Sequence, residues 1–154
     1  MEKLIFNEGL KKYEVNDSGA VFSFAANDAN LYSRVKKLND EALKILKELE
    51  KLQKKAQLSL EDEELKNEYV EKFSSAMKNA DEKMKQALTE CFGKQNDFEA
   101  IFSGVNAFSI TDTGEFVITN FLNAITPIVK RDTERNINVA AAKKAASMKH
   151  HKKK

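Results

Sequence analysis

The sequence has little from which to build turns: one proline and five glycines in 154 residues. A many-stranded sandwich or barrel needs Gly/Pro-rich turns about every ten residues, so that class is excluded. Cys91 is the only cysteine, which rules out an intrachain disulfide and a cysteine-rich zinc site. No run approaches the roughly 18 apolar residues of a membrane-spanning helix. The opening MEKLIFNEG lacks the apolar core of a secretory signal. These absences lead to the expectation of a soluble, cytoplasmic chain with no membrane partner.

Residues for catalysis are equally sparse. The sequence contains no GxGxxG, no Walker-type loop and no HExxH. Its two histidines are His150 and His151, adjacent in a lysine-rich tail. Neighbouring helix positions point about 100° apart, so the pair offers no shared chelating face. Cys91 as a nucleophile would need a base within reach, and no internal histidine exists. The Asp-Ser-Gly and Asp-Thr-Gly turns lack the acidic ligands of a calcium loop. Glu61, Asp62, Glu63 and Glu64 splay around a helix axis and suit its positive end better than a metal ion. The sequence therefore assigns no catalytic, metal or cofactor residue, expects no cofactor, and points to a binding protein rather than an enzyme.

What is present is helix. Asp28 is expected to cap a helix over residues 28–57. Leu31, Val35, Leu38, Ala42, Ile45, Leu49, Leu52 and Ala56 recur at alternating spacings of four and three. That is an a/d seam over nearly four heptads, with Leu43 and Leu46 widening it. A helix of this length spans roughly 45 Å, too long for a small core without a long partner. The partner follows at once. Ser59 and Asp62 form a near capping box, and a second helix is expected from about Leu60 to Cys91, with Gly93 as its stop. Leu65, Tyr69, Phe73, Ala76, Ala80, Met84, Ala87 and Cys91 make its stripe. The seam of this antiparallel helical hairpin, over residues 28–93, is assigned to Leu31, Val35, Leu38, Ile45, Leu49, Leu52, Tyr69, Phe73 and Met84.

Before it, residues 1–27 are expected to form an N-terminal β-hairpin. KKYEV and AVFSF flank the turn NDSG, with residues 3–8 as a candidate third strand. A two-stranded hairpin is marginal alone, so Phe6, Phe22 and Phe24 are candidates for a partner or self-association surface. Residues 94–149 form a C-terminal helical region. Asn96 or Asp97 is expected to cap a brief helix ended by Gly104. Residues 107–119 are open between a second hairpin, since ITDTGEFVI echoes VNDSGAVFS, and a helix capped by Thr111 or Asp112; the helix is preferred. Pro127 must kink that helix or break one of its hydrogen bonds. The fold class is thus mainly α, with an N-terminal β-hairpin, a long antiparallel helical hairpin and a C-terminal helix.

Charge is unevenly placed. Residues 140–154 hold six lysines and no acid, so the net charge of +2 leaves −4 on residues 1–139. Lys143, Lys144, Lys149, Lys152, Lys153 and Lys154 are a candidate basic tail, its last five residues, 150–154, expected to fray. An acidic body is a poor match to a nucleic-acid-binding domain, so only weak, non-specific contact with nucleic acid is expected.

Several segments together resemble a group of small prophage proteins from Gram-positive bacteria. They are Leu4-Ile5-Phe6 before the hairpin, Cys91-Phe92-Gly93 closing the second charged helix, Ile101-Phe102-Ser103-Gly104, the FLNAITPIV run of residues 121–129, and the lysine-rich end. Such proteins are similar to tail assembly chaperones of long-tailed phages, which hold the tape-measure protein soluble until the tail tube polymerises around it. The resemblance implies a non-catalytic chaperone in the cytoplasm of a bacterial host cell. Its partner would be a long helical tape-measure protein or a second copy, with a homo-oligomer expected. The alternative is a structural or regulatory adaptor that self-associates and uses its basic tail on nucleic acid.

Overall fold

The computed structural model describes residues 1–6, 9–59 and 61–152, with side chains described as far as Ser147. The chain is mainly helical. An antiparallel hairpin, β1 (Leu10–Glu14) and β2 (Val21–Ala25), comes first. Two long helices follow, α1 (Leu31–Leu58) and α2 (Glu63–Phe92), then one turn of helix α3 (Phe98–Ile101) and the long α4 (Val117–Lys152). The mainly α class with an N-terminal hairpin is as the sequence indicated.

The hairpin turn forms because Asn16 can serve two purposes. Its side-chain oxygen accepts from the N–H groups of Ser18 and Ala20, while its amide donates to the carbonyls of Ala100 and Ile101. Gly19 takes the left-handed φ of 81° that the turn requires. Tyr13 pairs with Phe22 and Lys11 with Phe24, which sends both phenylalanines to one face. That face is the core. Phe22 meets Phe92 edge-on at 5.0 Å and Phe121 at 5.2 Å, and Phe98 and Phe102 complete the ring cluster around Phe121. The β-hairpin, the helical hairpin and the C-terminal region therefore share one core rather than three.

Phe22 and Phe24, at 2% and 0% exposure, are thus not a surface, contrary to expectation. Alternation placed them together, but α2, α3 and α4 cover that face within the same chain. Of the three candidates only Phe6 is exposed, and residues 1–6 form no strand.

Helix boundaries also shift for identifiable reasons. Asp28 does not cap α1. Its carboxylate accepts from the N–H of Asn30 and pairs with Arg34, holding a turn that delays the helix to Leu31. Ser59 ends α1 rather than starting α2, its hydroxyl donating to the Lys55 carbonyl. Asp62 is the true cap, accepting from Glu64 and Leu65, so α2 begins at Glu63. Asp97 caps α3 in the same way through Glu99 and Ala100. Residues 107–119 follow neither reading in full. Ile110 and Phe116 make a single bridge around a turn closed by Thr111 and Glu115, and α4 starts only at Val117. Its first N–H groups need no side-chain cap, because Val117 donates to Ser109 and Ile118 to Ala107. The helix passes through Pro127 without interruption and runs to Lys152, so residues 150–152 of the segment expected to fray are helical, while residues 153–154 of it lie outside the described residues.

Candidate functional site

Since α1 ends at Leu58, α2 begins at Glu63 and the Asp62 N–H donates back to the Ser59 carbonyl, the two helices run antiparallel. Their seam is not uniform along its length. Leu31, Val35, Leu38, Ala42, Ile45 and Leu49 are buried on α1; on α2 the buried residues are Ala80, Met84, Lys85, Leu88, Cys91 and Phe92. Burial is thus confined to the half of the hairpin remote from its turn. There, α3, α4 and the β-hairpin supply a third layer. Towards the turn only two helices remain, and two helices cannot enclose a seam. Leu52, Tyr69 and Phe73, expected in the buried seam, are therefore only half-buried. Leu58 at 87% and Val70 at 52% exposure are open to solvent.

At the boundary between these two halves lies an apolar groove of about 620 Å³. Leu46, Leu49, Glu50 and Gln53 of α1 form one wall, Phe73 and Met77 of α2 another, and Phe108, Ser109, Ile110 and Phe116 the end. Among the described residues that line it, Glu50 is the only charged one. Ile110, 66% exposed, stands at the rim. A smaller groove on the same hairpin, lined by Ile45, Leu52, Ala76 and Ala80, has about 260 Å³.

The end wall is held rigidly. Lys85, nearly buried, donates to Asp81 at 3.0 Å, Glu99 at 2.9 Å and the Val105 carbonyl at 3.1 Å. Asp81 in turn accepts from the Ala107 N–H at 2.7 Å, and Asn106 donates to the Met77 carbonyl. Residues 105–108 are therefore clamped to α2, and Phe108 is inserted with 2% exposure. The sequence reading missed Lys85, Asp81 and Leu88. Asp81 and Lys85 stand at i,i+4, an ordinary surface pairing on any helix. Only the loop that closes over them makes the pair buried.

Cys91 is buried as a small seam residue, and burial pushes its thiol up to about 11, with Arg34 opposing and Asp28 reinforcing. A thiol held protonated in this way is a poor nucleophile at neutral pH. Among the described residues no group of three His, Cys, Asp or Glu side chains is placed to hold a metal ion, and no helix is long and apolar enough to cross a membrane. Of the basic tail, Lys143 and Lys144 are exposed on α4. The side chains of Lys149 and Lys152, and all of Lys153 and Lys154, lie outside the described residues. No protein family, curated protein or solved structure matches the chain.

Proposed function

We propose that the chain is a non-catalytic assembly chaperone whose groove receives an apolar stripe of a long helical protein, the tape measure of a phage tail. The observation that carries this reading is the groove between α1, α2 and the turn at residues 108–116. It is apolar, open to solvent and walled by the facing sides of the antiparallel α1 and α2. An amphipathic helix lays its apolar residues, three or four apart, into a groove of this kind. A tape-measure protein that has not yet been enclosed exposes such stripes over its whole length. Holding it soluble needs burial, not chemistry. The cytoplasm of the bacterial host is where that holding would take place.

The test is co-expression with a long helical tape-measure protein of a phage tail, followed by affinity capture. Under this reading, the long protein stays soluble and is recovered with the chain at physiological salt. Recovery of nucleic acid instead, lost steeply as salt rises, would favour the adaptor reading through Lys143 and Lys144.

A further inference from the structure

The two edges of the small sheet differ. Hydrogen bonds from Val15 to Ala20 and from Ala26 to Gly9 set the alternation of the ladder. Leu10, Lys12 and Glu14 therefore direct their N–H and C=O groups away from β2, and Ser23 directs its own away from β1. The β2 edge is closed, since the Asn96 side chain satisfies both groups of Ser23 at 2.8 Å each. On the β1 edge no hydrogen bond among the described residues meets Leu10, Lys12 or Glu14. An open edge is a template for another strand.

The same chain carries a segment with the properties of that strand. Leu4, Ile5 and Phe6 are 87%, 85% and 69% exposed, three apolar residues in a row with high strand propensity and no cover. They are not paired with their own β1, for residues 1–6 form no strand. We propose that this segment of one copy adds as an antiparallel strand to the β1 edge of a second copy. Charge selects the register. Setting Lys3 opposite Glu14 brings Ile5 opposite Lys12 and Leu4 opposite Tyr13. Positions 3 and 5 then meet the outward-directed groups of Glu14 and Lys12, as the ladder requires. Leu4 and Phe6 fall on the face of Tyr13, where they extend its stack on Phe24. Lys12 on the bare edge discourages indiscriminate pairing, whereas a strand with the apolar Ile5 opposite it tolerates it. This pairing is independent of the groove and of its occupant.

Sedimentation velocity on the full chain over a concentration series tests it, beside Ile5→Pro, which removes the N–H that would bond at Lys12. Residue 5 is exposed, so the variant should fold with an unchanged melting temperature. The wild type should self-associate at micromolar concentration, and Ile5→Pro should weaken association by about tenfold or more. Amide exchange at Lys12 and Glu14 should be slow in the associated form and fast on dilution. A wild type that stays monomeric, an Ile5→Pro variant that associates as strongly, or protection that does not change with concentration, which would mean pairing within one chain, overturns the proposal.

Discussion

The side chain of Asn96 takes the place of a third strand beside Ser23: its oxygen accepts the Ser23 N–H and its nitrogen donates to the Ser23 carbonyl, both at 2.8 Å. Both residues are buried, at 5% exposure. The contact ties the β-hairpin to the chain just beyond α2, where Phe22 enters the ring cluster. Asn96→Ala would strand the Ser23 N–H and leave the Ser23 carbonyl only the longer 3.3 Å bond from Gln95, at a cost of about 1–3 kcal/mol. Urea unfolding monitored by circular dichroism measures it. Asn96→Asp keeps the acceptor but sets a buried carboxylate oxygen against the Ser23 carbonyl, so its loss should be comparable.

Lys85 makes a graded test of the clamp. Its Glu99 partner is 66% exposed, and that ion pair is screened, so Glu99→Gln should change stability by no more than about 0.5 kcal/mol. The Asp81 side is nearly enclosed. Lys85→Met should cost about 1–3 kcal/mol through Asp81 and the Val105 carbonyl. Hydrogen exchange at residues 105–108 should accelerate in Lys85→Met and not in Glu99→Gln.

Cys91 supplies a pH signature. Burial pushes its folded-state thiol up to about 11 from the ordinary value of 9.0. The folded state thus keeps a proton that the unfolded state releases first. This stabilising contribution is complete below the unfolded value and declines as pH rises from 9.0 towards about 11. Alkylation by iodoacetamide in the native protein should be slow at pH 8 and rise only towards pH 11, whereas in urea it should rise near pH 9. A native profile centred near 8.5 would show Cys91 to be accessible.

The position of the core along the helical hairpin can be read by three aspartates. Leu49→Asp places a charge in the enclosed half and should cost about 3–5 kcal/mol. Leu52→Asp, half-buried, should cost less, and Leu58→Asp, exposed near the tip, should stay within about 0.5 kcal/mol. Thermal melts of the three in one buffer give the order. Equal losses at Leu49 and Leu58 would mean that something covers the tip.

The seam of α1 was legible because one face of that helix meets all its partners, so a single periodicity describes it from Leu31 to Leu49. The second half of α2 was legible only in part: Ala80, Met84 and Cys91 of its stripe are buried, but they are not alone. There α3 and the loop at residues 105–108 wrap a second face, burying Leu88 and Lys85 and leaving Ala87, a stripe position, only half-buried. Phe22 and Phe24 were placed on one face correctly, but alternation does not say what covers a face. The groove was the least legible feature. Its end wall depends on backbone bonds from Val117 to Ser109 and Ile118 to Ala107, which no local pattern encodes.

The groove itself is tested most directly at Ile110, because it stands at the rim, 66% exposed, and contributes little to folding. Wild type and Ile110→Asp are each co-expressed with the proposed long helical partner, and the recovered complex is quantified alongside the melting temperature of each variant alone. Ile110→Asp is expected to melt like the wild type and to lose the partner, which then falls into the insoluble fraction. Equal recovery of soluble partner by a well-folded Ile110→Asp would contradict a role for this groove in holding it.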